Sequence, residues 1–146
     1  MESEVKIVRL TATVFAKEGE NMTNEELIKG LFECFEEDEI TEEFGVTAVK
    51  AEPSDVTVSD NGDTIRVDSC LDTIDFEEEP SLDLFTLLGK EIVEHYPSLS
   101  FEINDDFGYL GIYWEGTPRD SEELADRVSD VQDALKFAYN LAQDLL

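Results

Sequence analysis

Basic residues are scarce in this chain. Of 146 residues, 10 are Lys or Arg against 37 Asp or Glu, for a formal net charge of −27. A surface so negative is repelled by nucleic-acid phosphates and by anionic membrane faces, so neither direct nucleic-acid binding nor membrane binding is expected. Long apolar runs are also missing. No stretch reaches the roughly 18 apolar residues that would predict a membrane-spanning helix. The opening Met1-Glu2-Ser3-Glu4 lacks the basic and apolar regions of a secretory signal. The 2 Cys are too few for a disulfide framework, and a reducing, cytoplasmic setting is expected.

The same scarcity limits chemistry. The chain has 1 His, His95, near the end of a predicted helix, and neither Cys34 nor Cys70 lies near it in sequence. No catalytic residue is therefore assigned, and an enzyme is not expected. Glu91 and His95 stand four apart, but no second His and no close Cys pair completes a zinc site. The oxygen-rich segments Asp60-Asn61-Gly62-Asp63 and Asn104-Asp105-Asp106 lack the twelve-residue EF-hand pattern and fall where hairpin turns need such residues. No metal and no cofactor is expected.

What is present is enough for a core: 41% apolar residues, with 9 Phe and 1 Trp. Residues 4–17 are rich in β-branched residues without Pro or Gly and predict a first strand, with Val8, Leu10, Ala12 and Val14 on one face. Thr23 or Asn24 caps a helix predicted to run to about Asp38, with Glu26 completing a capping box. Leu27, Ile28, Leu31, Phe32 and Phe35 form its apolar stripe. A short strand is expected over residues 46–51. Val56 and Val58 alternate, Asn61-Gly62 follows, and Ile65 and Val67 resume, predicting a hairpin with a type I′ turn at Asn-Gly. Pro80-Ser81 opens a second helix that Pro97 stops. Leu99, Phe101 and Ile103 lead through a turn at 104–108 into a second hairpin arm, 109–114. Asp120 caps the last helix, whose core stripe is Leu124, Val128, Val131, Leu135, Ala138 and Ala142. The expected fold is a single α+β domain over residues 1–146, in the order β-α-β-β-β-α-β-β-α. An antiparallel or mixed sheet of about five to six strands, with two hairpins, would be packed by three helices.

The carboxylates are not evenly placed. Spread over the roughly 7,500 Å² expected of a folded chain this size, the net charge would be about one per 280 Å². Duplex DNA carries about one per 110 Å², so imitation of DNA requires acids gathered on part of the surface. On the last helix, Glu122, Asp126, Asp130 and Asp133 lie opposite the core stripe at steps of four, four and three. Glu33, Glu36 and Glu37 occupy the outward side of the first helix, and a third cluster, Asp72, Asp75 and Glu77 to Glu79, precedes the second. Solvated outer faces of ordinary helices give such clusters too, but those faces usually mix both signs. Lys outnumbers Arg and Glu outnumbers Asp, which runs against general salt adaptation.

Two other features stand apart from the charge. Tyr109 and Tyr113 share one face of the second hairpin, opposite Leu110, Ile112 and Trp114, and are candidate partner anchors. Phe137, Leu141 and Leu145 make a second apolar stripe on the last helix, which the rest of the chain or a second copy must cover; a homodimer through this helix is one expectation. In composition the chain is similar to the DNA-mimic inhibitors that phages and mobile elements use against restriction or CRISPR effectors. That similarity implies a basic nucleic-acid-binding protein as partner, met by Glu33, Glu36, Glu37, Glu122, Asp126, Asp130 and Asp133. The alternatives are an immunity or antitoxin-type protein neutralising one basic toxin through Tyr109 and Tyr113, and an acidic interaction domain with no nucleic-acid-related partner.

Overall fold

The computed structural model describes residues 22–76, 80–106 and 108–146. The strand expected over residues 4–17 lies outside them. Within them the order is α-β-β-β-β-α-β-β-α, around one six-stranded sheet. The strands are β1 (Ile40–Glu43), β2 (Val46–Val49), β3 (Val56–Asp60), β4 (Ile65–Asp72), β5 (Ser100–Asn104) and β6 (Tyr109–Gly116). They pair antiparallel throughout in the spatial order β1-β2-β3-β4-β6-β5, so β6 lies between β4 and the edge strand β5.

Period-two patterning decides which sheet face is covered. Val56, Val58, Ile65, Val67, Leu71, Leu110 and Ile112 point to one side and are buried there with the helices. Those helices are α1 (Asn24–Gly30), continued by a 3-10 turn (Leu31–Glu33), α2 (Leu82–His95) and α3 (Ser121–Leu145). All six residues of the predicted α3 stripe are fully buried. Asp120 caps α3, its carboxylate accepting the Glu123 N–H at 2.8 Å. Gly30 lets α1 approach this end closely: a Cβ there would lie 2.0 Å from Ser121 Oγ, which donates to the Leu27 carbonyl at 2.8 Å.

Three expectations are corrected. The first helix has its Thr23–Glu26 capping box but does not reach Asp38, giving way to the 3-10 turn after Gly30. The residues that would form its last turns are acidic, and negative charge opposes the dipole at a helix C-terminus. Phe32, expected in the buried stripe, is 40% exposed. Second, the segment Ile40–Glu43, within the acidic run, is strand β1. Third, the first hairpin turns one residue later than expected. Asn61 and Thr64 pair, leaving Gly62-Asp63 as the loop with Gly62 at φ +91, a glycine-first turn. Asp60 accepts the Gly62 N–H at 2.9 Å and the Asn24 amide at 2.8 Å, fixing that turn against α1. The observed register Val58↔Val67 differs by two residues from the one an Asn-Gly turn would impose, which keeps the same side chains inward.

Among the described residues, no helix is long and apolar enough to cross a membrane.

Candidate functional site

Glu122, Asp126, Asp130 and Asp133 run along the side of α3 away from its buried stripe. At 1.5 Å rise per residue they span about 17 Å. Glu122, Asp126 and Asp133 are exposed, while Asp130 is half-buried and takes an ion pair from Arg127 at 3.1 Å. Partial burial pushes the Asp130 carboxyl above its usual range, against the pull of Arg127, and the neighbouring Asp126 and Asp133 push it the same way.

The turn after α1 lies against the N-terminal end of this row. Cys34 Sγ, just past the 3-10 turn, sits 4.0 Å from the Ser121 carbonyl oxygen. Burial pushes its thiol upward, and Glu122, Glu33, Asp120 and Asp126 add to the shift. Glu33, the residue before Cys34, is exposed. Glu36 and Glu37 are exposed in the turn that follows; the Glu36 N–H donates to Glu39 Oε1 at 3.1 Å, and Glu37 lines a groove beside β1.

At the other end the row meets the last turn of α2. The Tyr96 hydroxyl is pushed up by burial and then by Asp133 and Asp130. Phe137 packs edge-on to Tyr96, with centroids 6.1 Å apart, and lies 4.7 Å from the His95 ring. His95 Nδ1 is 2.9 Å from the Glu91 carbonyl oxygen at this helix end. The second apolar stripe thus divides. Phe137 and Leu141 are half-buried against the core, and Leu145 remains 53% exposed beside Leu146.

The other sheet face carries acids of a different kind. Tyr109 and Tyr113 lie on it as expected, both half-buried, with Leu110 and Ile112 fully buried on the inner side. Arg66, on the neighbouring strand, reaches Glu102 at 2.7 Å, Asp68 at 3.0 Å and Glu115 at 3.7 Å. Its guanidinium stands over the Tyr113 ring at 4.0 Å from the centroid. Here one cation holds three carboxylates, whereas Arg127 in the α3 row pairs only with Asp130 among the described ion pairs. In the third cluster, the Asp75 carboxylate accepts the Asp72 N–H at 2.8 Å; Glu77 to Glu79 lie outside the described residues.

Among the described residues no cluster of three or more His, Cys, Asp or Glu has the geometry to hold a metal ion. The groove lined by Phe32, Glu37, Ile40 and Thr41 was missed in the sequence. The usable signal was Gly45 between the β-branched pairs Ile40-Thr41 and Val46-Thr47. No protein-family model and no curated protein matches the chain.

Proposed function

We propose that this chain is an acidic protein inhibitor that occupies the basic groove of a nucleic-acid-binding protein by presenting carboxylates where phosphates would lie, as anti-restriction or anti-CRISPR inhibitors of phages and mobile elements do. The observation that carries this reading is the contrast between its two acidic surfaces. All three sheet-face acids reach Arg66, while on α3 Arg127 pairs with Asp130 and the exposed Lys136 follows three residues after Asp133. Over about 17 Å of axis one strand of B-DNA presents about five phosphates. Glu122, Asp126, Asp130 and Asp133 supply four carboxylates over that length, one of them paired with Arg127. Lys and Arg lining a target groove would meet this row, with Glu36 and Glu37 at its margin. Long-range attraction would speed association and salt would weaken it. No bond is made or broken, so the reading needs no catalytic residue, metal or cofactor.

Self-association fits this reading through a smaller patch than the sequence suggests. With Phe137 against His95 and Tyr96, the surface left for a second copy centres on Leu145 and Leu146.

A second reading, an immunity or antitoxin-type protein for one basic toxin, rests on Tyr109 and Tyr113 on the face opposite the helices. Affinity capture from bacterial lysate at about 50 mM and about 500 mM salt, with and without duplex DNA, separates the two. Phosphate mimicry predicts basic nucleic-acid-binding proteins that are lost at high salt and displaced by DNA. A single partner that survives both favours the immunity reading. An acidic interaction domain of the third kind would retain partners that neither bind DNA nor compete with it.

A further inference from the structure

The turn between β3 and β4 carries a reactive dipeptide whose two reacting groups are both held. Of the five Asn in the chain, Asn61 alone precedes a Gly. Gly62 has no Cβ to hinder approach of its backbone nitrogen to the side chain before it. The chemistry open to such a pair is cyclisation. The Gly62 nitrogen attacks Asn61 Cγ, an N–Cγ bond forms, the Cγ–Nδ2 bond breaks, and ammonia leaves with the Gly62 amide proton. Water then opens the succinimide ring. Cleavage at Cγ gives aspartate, and cleavage at the backbone carbonyl gives isoaspartate, in which the chain runs through the side-chain carbon. Asn61, Gly62 and Asp63 are all exposed, so water reaches this turn.

In the fold, nucleophile and leaving group each donate to a carboxylate. The Gly62 N–H donates to Asp60 Oδ1 at 2.9 Å. The leaving amide, Asn61 Nδ2, donates to Glu115 Oε2 on β6 at 3.2 Å. That oxygen also accepts the Thr64 hydroxyl at 2.6 Å, and the Asn61 N–H bonds the Thr64 carbonyl at 2.9 Å. Asn24, the first residue of α1, clamps the loop as well. Its amide reaches Asp60 Oδ1 at 2.8 Å, the Gly62 carbonyl at 3.0 Å and the Thr64 carbonyl at 3.2 Å. These bonds hold both acceptors below the usual carboxylate range: Asn24 and then the Gly62 N–H for Asp60, Thr64 and then Asn61 for Glu115. Both therefore stay charged at neutral pH, and a negative charge beside the Gly62 nitrogen disfavours loss of its proton. To cyclise, Asn61 must leave Glu115 and the Gly62 N–H must leave Asp60.

We propose that Asn61 is a site of spontaneous deamidation and isoaspartate formation which the folded turn holds in check, with Asp60 and Glu115 as the restraints. Local opening of this hairpin end releases it. The products do not fit the closed turn. A carboxylate at position 61 meets Glu115 where an amide donor stood, and isoaspartate inserts a carbon into the backbone of the Asn61–Thr64 pair. The site is independent of whatever the α3 row binds.

The test incubates the full chain in mildly alkaline buffer, folded and in guanidinium chloride, and follows aspartate and isoaspartate at each Asn by peptide mapping and mass spectrometry. In denaturant, Asn61 should be modified ahead of the other Asn residues. In the folded chain its rate should fall at least about tenfold, because cyclisation waits on opening of the turn. Glu115→Ala frees the leaving amide, and Asp60→Ala frees the Gly62 N–H. Each should speed the folded rate by about threefold to tenfold, the effect of losing one hydrogen bond to a charged group at an exposed site. Neither should change the rate in denaturant by more than about twofold, since high salt screens the charge there. Equal rates in the folded and unfolded chain, or folded rates unmoved by both substitutions, would overturn the proposal. So would faster modification of another Asn in denaturant. Should Asp60→Ala lose its thermal transition, Glu115→Ala decides alone, because it leaves Asn24 and its three bonds to the turn in place.

Discussion

The Arg66 guanidinium stands over the Tyr113 ring, 4.0 Å from its centroid, while also holding Asp68, Glu102 and Glu115. One side chain thus joins three strands and covers the tyrosine that sequence alone marks as a partner anchor. Removing the cation leaves three carboxylates facing one another. Arg66→Gln should cost about 1–2 kcal/mol, summed from partly exposed ion pairs and one cation–π contact. Tyr113→Leu should cost about 0.5–1 kcal/mol, since only the ring contact is lost. Urea unfolding of both variants and the double variant would measure the coupling; additive losses would mean the stacking contributes nothing.

Gly89 on α2 is set by packing. A Cβ there would lie 2.2 Å from Cδ2 of the Phe101 ring on β5. In an exposed helix interior Gly→Ala gains about 1 kcal/mol. Here overpacking should reverse the sign, with Gly89→Ala destabilising by about 1–3 kcal/mol. The check is the urea midpoint, with Phe101→Leu as the background that relieves the clash.

Asp130 tests whether the α3 row is held at a cost. Its carboxyl is pushed up, first by burial. A raised carboxyl means the folded chain holds the proton more tightly, so this group opposes folding at neutral pH and the penalty fades as pH falls through its folded value toward the ordinary Asp range. Asp130→Asn should therefore raise stability by a few tenths of a kcal/mol at pH 7 and low salt. The gain should shrink on acidification. Thermal melts at pH 7 and about pH 4 measure it. A loss at pH 7 would mean that the Arg127 pair outweighs burial and repulsion.

Phe44 should be replaceable with gain. A left-handed bulky residue costs about 1–2 kcal/mol, and Asn-Gly is the preferred pair for this turn. Phe44→Asn is expected to stabilise by about 0.5–1 kcal/mol in urea unfolding. A destabilised variant would show that the exposed ring makes a favourable contact within the chain.

Where periodicity was long, sequence carried the fold. The α3 stripe from Leu124 to Ala142 repeats over five turns, and the alternation around Tyr109 to Tyr113 assigns each side chain to a face. β1 was illegible because Ile40–Glu43 offers one apolar residue among acids, and its turn uses Phe44 where Asn would have announced it. The first-hairpin register was open for another reason: two registers two residues apart bury the same valines. Meetings between distant segments had no local signal. Cys34 reaches the start of α3 only because Gly30 admits Ser121, and Phe137 is covered only because α2 ends beside it. The charge count foresaw acidity but not that three sheet-face carboxylates share Arg66 while on α3 Arg127 pairs with Asp130.

If the α3 row takes the place of phosphates, reversing its charge must release the partner. The quantity to measure is the affinity of a captured partner for the unmodified chain and for the combined Asp126→Lys, Asp130→Lys and Asp133→Lys variant, alongside Tyr113→Ala. Three reversed contacts should cost at least about a hundredfold at low salt, with Tyr113→Ala within about threefold. The partner should recover its DNA in the presence of the reversed variant. Undiminished binding by the reversed chain, or a larger loss with Tyr113→Ala, would refute phosphate mimicry by α3.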